Sequence, residues 1–419
     1  MSILFLHCSI KPPVFPRLGA LLAELSEPTV LVLPAVMAQM QPEVSQLFGQ
    51  VIAIPGDFKD TAMVELEVFR AHDRAPFSRI ITAGELGILR AARLRAELGV
   101  RGQSVGSALA YRDKVVMKDL VSRAGIRVPR YRAVDSPSDL LGFVRDVGFP
   151  VVLKPRSGAG SVNTQLLQDE ADLHASLAGL RAQTAGLSLE LIVEELVRGR
   201  LYHVNGYATA DRRIGLVWPA SYLERGNLEV MMTEGCVSGE FLLDPGDPRV
   251  PAMNGFAEAC LRALPWPEHG FCFHLEVFET DDTHELVFCE VACRHGGGTI
   301  NDVYSFGFGV SLLEVSLRLQ AGLPVGEHAT RPQVLTGGVC SAVRTGRLVL
   351  SSAEAPAFPW LLSYDLKLKS GDSATGPKTC VDSSAHFVVS GASTGEVVDR
   401  MTQANRWFEG VSSWEDTSA

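Results

Sequence analysis

The chain has 419 residues, a formal net charge of -10 and 46% apolar residues; that length exceeds one compact core and predicts two to four subdomains sharing interfaces. The charge balance excludes a nucleic-acid groove, and no run reaches the roughly 18 apolar residues of a membrane span. Its eight cysteines are irregularly spaced and include no CxxC pair, so buried, reduced thiols in a cytoplasmic protein are expected rather than disulfides or zinc.

The opening residues MSILFLHCSIKPP lack a positive leader and read as a first strand. Further strands are predicted at 29–33, 51–54 and 79–82, alternating with helices at 19–25 and 86–97, which is the signature of a small parallel α/β sheet over residues 1–112. No GxGxxG follows its first strand, so a dinucleotide site has no support. A second unit is expected over 113–190: the helix DKVVMKDLVSRAG closed by Gly125, a helix at 138–147 capped by Ser136 or Ser138, the strand PVVLKP, the loop RSGAGSVNT, a helix near 170–185 and the strand SLELIVEEL. Residues 191–325 read as mostly antiparallel up to about 310, followed by a helix at 311–321. The tail 326–419 is an α+β extension whose last clear element is a helix at 394–408.

Three stretches carry chemistry. In HLEVFETDDTHELVFCEVACRHGGG, two apolar runs flank a turn near 280–284. Strand alternation that pairs even positions puts His274, Glu276, Glu290 and Arg294 on one face, with Phe273, Leu275, Val277, Val287, Cys289 and Val291 on the other. Two carboxylates held a few ångströms apart repel unless a cation lies between them, and Mg²⁺ takes carboxylate oxygens together with substrate phosphates. A charged, solvent-facing hairpin is the plainer alternative. After Lys154, the loop SGAGSVN offers backbone N–H groups to phosphate oxygens beside a point charge. Basic residues here are overwhelmingly arginine, which singles out Lys114 and Lys154 as candidate phosphate cations. In LIVEELVRGRLYHVNG an apolar strand ends in Glu194 and Glu195 and runs into a Gly-containing turn, an end suited to an exocyclic amine or equally to plain exposure.

In this order and spacing the pieces resemble the ATP-grasp superfamily over roughly residues 80–325, most of all the carboxylate-amine ligases that join amino acids. The resemblance implies an ATP-grasp fold, mixing α/β and α+β: an N-terminal Rossmann-like domain, a mobile lid subdomain and an antiparallel β-rich catalytic domain. It implies ATP as cofactor with Mg²⁺, two ions, and Mn²⁺ as a substitute. RDKVVMKDLVSRAGIRVPRY is similar to the family's first nucleotide-contacting helix and makes Lys114 a phosphate ligand. FPVVLKPRSGAGSVNT makes Lys154 the α/β-phosphate ligand, with Ser157, Gly158, Gly160 and Ser161 in the loop over it. VEELV corresponds to the adenine hinge, with Glu194 on the amino group and Glu195 and Val197 lining the base by backbone. YHVNG places His203 near the ribose or phosphates.

By the same resemblance Glu276 and Glu290 bridge Mg²⁺, Arg294 faces an acyl phosphate, and Gly296, Gly297 and Gly298 let backbone approach the substrate. Two departures stand out: Ala292 replaces an asparagine that serves many relatives as a further metal ligand, and Leu201 replaces a ribose-binding glutamate of some relatives. His274 and His295 are candidate proton acceptors for the attacking amine. Glu224, Arg225 and Glu234 are candidate contacts for a zwitterionic amino acid, or surface charges. The expected partners are small-molecule carboxylate and amine substrates, with a carrier-protein thiol as the alternative acceptor and a homodimer as the association. A biotin-dependent carboxylase lacks support because Met117-Lys118 lies in a helix rather than on a hairpin tip. A nucleotide-binding regulatory protein without turnover is the reading from a different class.

Overall fold

The computed structural model describes residues 1–6, 15–40, 42–56, 61–184, 189–223, 237–377, 379 and 382–416. Four strands, β1 (Ser2–Leu6), β2 (Thr29–Pro34), β3 (Gln50–Ile54) and β4 (Phe77–Ile81), form a parallel sheet in the order β3-β2-β1-β4. β1 and β2 are buried throughout because the sheet is covered on both sides. One face packs on Leu18, Leu21, Leu313 and Leu317, the other on Val64, Val68, Ala91 and Leu94. Two-sided burial explains why these strands read as unbroken apolar runs. Val64 and Val68 belong to a helix, Met63–Arg74, that was not among the predicted elements.

A second sheet, antiparallel and ordered β5-β8-β6-β7, joins β5 (Tyr131–Val134), β6 (Val151–Pro155), β7 (Gln165–Leu167) and β8 (Leu191–Glu195). Leu140 and Phe143 of the helix Pro137–Val147 close its core with Leu173 of the helix Glu170–Thr184. A capping box between Ser136 and Asp139 starts the first of these helices.

The largest sheet has eight strands, β9 (Gly199–Ala208), β10 (Ile214–Tyr222), β11 (Ser238–Leu242), β12 (Phe271–Thr280), β13 (Leu286–Ala292), β14 (Leu335–Ser341), β16 (Leu361–Leu366) and β18 (Ala385–Gly391), ordered β13-β12-β9-β10-β11-β14-β18-β16. β15 (Thr345–Leu350), β17 (Ser373–Thr375) and β19 (Ser412–Glu415) make a small separate sheet. In the tail, β14, β16 and β18 are hydrogen-bonded into the same sheet as the hairpin of β12 and β13. Two helices, Arg249–Ala263 and Ile300–Phe308, interrupt a stretch expected to be mostly antiparallel. Both are amphipathic enough to cover the sheet with Met253, Ala257, Leu261, Val303 and Phe308. Among the described residues no helix is long and apolar enough to cross a membrane.

Candidate active site

The hairpin of β12 and β13 pairs in the expected even register: His274 lies opposite Ala292, and Glu276 opposite Glu290. A bulge between Glu276 and Val277 then shifts the pairing, which leaves one residue extra on one strand. Cys289, expected on the core face, consequently lines the same cavity as the glutamates, its Sγ 3.9 Å from Glu276 Oε2. Donor atoms of Glu276, Cys289 and Glu290 all lie within 4.8 Å of one another. Tyr222 donates to Glu276 Oε1 at 2.6 Å, and His274 Nε2 is 3.7 Å from that oxygen.

The cavity, of about 530 Å³, is walled by the β5-β8-β6-β7 sheet, the eight-stranded sheet, the helix Lys114–Arg123 and the loops around them, with Glu85 reaching it from beyond β4. Lys114 enters from the first turn of the helix Lys114–Arg123, whose N-cap Asp113 accepts from the amides of Val115 at 2.9 Å and Val116 at 3.3 Å, a cap worth about 1 kcal/mol. Its ammonium donates to Gly158 O at 3.1 Å and lies 3.3 Å from Glu290 Oε2. Lys154, on β6, lies 3.1 Å from Glu194 Oε2 on the neighbouring β8. Gly160 and Ser161 both take positive φ, 63° and 57°, the left-handed region that lets a loop turn back over a strand end. Gly158, Gly160 and Ser161 border the cavity, as do Val197, Arg294, Gly297 and Gly298.

Charges of both signs share the cavity. Burial by itself raises the Glu290 carboxyl pKa, but Lys114, Lys154 and Lys118 outweigh it and hold that carboxyl well below the usual range. Glu194 is likewise held down by Lys118 and Lys154 against its burial. The Lys154 ammonium, which burial disfavours, is kept charged by the carboxylates of Glu194 and Glu290. Each buried charge thus has a counter-charge, as low dielectric requires.

Several expected residues sit differently. His203 is fully buried on β9, bonded to Asn205 at 2.6 Å and packed on the rings of Tyr222 and His274. Its ring does not line the cavity, whereas those of Tyr222 and His274 beside it do. Burial, with His274 beside it, drives its pKa well below normal and keeps it neutral. The Ser157 side chain is exposed, and the part of this residue that reaches inward is its carbonyl, which accepts from Arg112. Glu194 reaches the cavity with both carboxylate oxygens facing lysines. The N–H of Glu195 is committed to Arg130 O at 2.9 Å, which removes it from any base edge. Leu201 lines the cavity as an apolar wall. Glu224, Arg225 and Glu234 lie outside the described residues.

Glu85, Arg112 and Lys118 were not singled out as site residues by the sequence. Glu85, in the short helix Glu85–Gly87 beyond β4, pairs with both Arg112 and Arg294. It sits in GELG, which matches no motif. Lys118 did carry a signal: it is one of few lysines and falls one helical turn after Lys114. A second groove, of about 580 Å³, is lined by Arg200, Tyr202, Asp247, Arg249, Glu279 and His284. There Arg249 is paired with Asp247, and Arg200 bonds Ser221 and the Tyr222 carbonyl.

No protein-family model matches the chain. It is 26% identical over 274 residues to an L-arginine-specific L-amino acid ligase of Bacillus subtilis, covering 64% of this chain and 63% of that protein. The chain thus spans somewhat under two thirds of that relative's length. A crystal structure of an L-amino acid ligase from Bacillus licheniformis superposes with a TM-score of 0.75 at 14% identity, covering 100% of this chain and 99% of that one. The biotin carboxylase domain of the 2-oxoglutarate carboxylase of Hydrogenobacter thermophilus, solved with MgADP and bicarbonate, superposes with a TM-score of 0.68 at 14% identity, covering 96% and 89%. At such identities the structural likeness establishes the fold.

Proposed function

We propose that this chain, whose fold is that of the ATP-grasp carboxylate-amine ligases, joins the carboxyl group of an amino acid to an amine, using ATP and Mg²⁺. The observation that carries this reading is the opposition of Glu276 and Glu290 across β12 and β13, at a cavity that also receives Lys114, Lys154 and Arg294. A relative with the same fold that holds MgADP supports the nucleotide and the ion.

The donor set suits a hard divalent cation, because two opposed carboxylates supply oxygen ligands. The Cys289 thiol, its pKa pushed up by burial to about 12 despite Lys154, adds little to such a set. Glu276 and Glu290 would hold the metal, and Mg²⁺ bound there supplies neutralisation of phosphate charge. Lys114 and Lys154 take phosphate oxygens, while the Gly158–Ser161 backbone closes over them. The carboxylate attacks the γ-phosphorus, ADP leaves, and the amine then displaces phosphate from the acyl phosphate, so no protein nucleophile takes part. Arg294 offers a planar fork to oxygens at the reacting carbonyl.

The test is phosphate release from ATP and Mg²⁺ across a matrix of amino acids offered singly and in pairs, with mass spectrometry of the active mixtures. Release that depends on a pair and gives a condensed product is expected. Release with no condensed product in any pairing would overturn the ligase reading.

A further inference from the structure

Lys118 is the one lysine of the cluster that does not line the cavity: it is fully buried, whereas Lys114 and Lys154 border the open space. Its ammonium is surrounded by protein. It lies 3.3 Å from Glu194 Oε1, donates to the Cys289 carbonyl on β13, and stands 5.6 Å from the Phe288 ring centre. Glu194 is therefore held between two cations, one oxygen facing Lys118 and the other facing Lys154 at 3.1 Å.

The two lysines are not equivalent. Lys154 can turn from Glu194 into the cavity, while Lys118 has no cavity to turn into. A buried carboxylate that loses its only cation is strongly disfavoured, because little solvent reaches it to replace the lost partner. With a phosphate oxygen competing for Lys154, the carboxylate of Glu194 keeps a counter-charge only if a second lysine stays behind.

Building on the nucleotide reading above, we propose that Lys118 is a positioning residue that holds Glu194 in place and in charge balance, releasing Lys154 to bind nucleotide phosphate. Lys118 does not touch the nucleotide. Without it, Lys154 becomes the sole counter-charge of Glu194 and stays on that carboxylate. The defect is cured by removing the negative charge of Glu194, not by restoring bulk.

The experiment is calorimetric binding of a non-hydrolysable ATP analogue with Mg²⁺ to the full chain, comparing wild type, Lys118→Met, Lys118→Arg, Glu194→Gln and the double variant Lys118→Met/Glu194→Gln. Lys118→Met should bind at least tenfold more weakly, and Lys118→Arg within about threefold of wild type. Measured against Glu194→Gln alone, which alters the residue expected at the adenine amino group, the double variant should show no further loss, because its glutamine needs no cation. A merely structural lysine would leave the double variant weaker than Glu194→Gln, which overturns the proposal, as does wild-type affinity in Lys118→Met. If Lys118→Met does not fold, a folded and binding double variant supports it, and an unfolded double variant overturns it. Failure of the wild type itself to bind nucleotide would instead sink the functional reading on which the inference rests.

Discussion

Glu85 and Glu290 are both carboxylates held ionised against their own burial, and each does so through basic neighbours. For Glu85 those neighbours are Arg294 and Arg112, which lower its pKa below the ordinary carboxylate range. A carboxyl whose pKa is depressed by folding contributes stability above its unfolded value, near 4.3 for glutamate, and loses it as pH falls through the folded value. Glu85→Gln should therefore cost about 3 kcal/mol at neutral pH, the scale of breaking a buried ion pair. The gap between variant and wild type should close on acidification, read as denaturation midpoints from pH 7 down to 3; a constant gap would show that packing, not charge, holds the site. Glu290→Gln tests the cation assignment instead. It should abolish product formation while leaving measurable nucleotide binding through Lys154, and full turnover in this variant would remove the metal role from the hairpin.

The helix Lys114–Arg123 and the hairpin of β12 and β13 show what was legible in the chain. Apolar alternation fixed which residues of the hairpin face each other as far as Glu276, whereas the helical spacing that sets Lys118 one turn after Lys114 was present in the chain but not used. The bulge after Glu276 has no such signal, since nothing in VFETDDTHELVFC marks where two residues will oppose one. The burial of His203 was not legible for a related reason: motif likeness ranks residues by order, whereas its neighbours Tyr222 and His274 come from two other strands. Glu85 was invisible because its partners are distant in sequence. The glycine ending YHVNG has a purely geometric reason. A Cβ on Gly206 would stand 1.8 Å from Leu216 O on β10 and 2.9 Å from the Phe273 ring on β12, so β9 can lie between those strands only without a side chain there. Gly206→Ala should cost about 3 kcal/mol, at the upper end of overpacking penalties. Urea denaturation measures it, and a cost below about 1 kcal/mol would mean that β9 and β10 slide freely.

Across the whole molecule, the parallel sheet that leads to Glu85 and the eight-stranded sheet share an element. That element is the helix Leu312–Ala321, started by Ser311, whose side chain accepts from the Glu314 amide. Leu312 and Val315 enter the core of the large sheet, while Leu313, Leu317 and Ala321 enter the core of the parallel one. At its end, Gln320 accepts from the Thr82 amide at 3.1 Å and donates to the Thr82 carbonyl at 2.8 Å, holding the segment just before Glu85. A helix buried on two sides transmits the loss of one core to the other. Leu317, 1% exposed, is the residue to remove, since Leu→Ala in such a site costs about 3 kcal/mol in transfer and cavity terms. If the helix couples the two sheets, Leu317→Ala should still unfold in one transition, at lower temperature. Hydrogen exchange should then quicken in β1 and β4 and also in β12, whose buried residues belong to the other core. Faster exchange confined to residues 1–81 would instead mean that the parallel sheet melts alone, leaving Arg294 without its Glu85 partner while the large sheet persists.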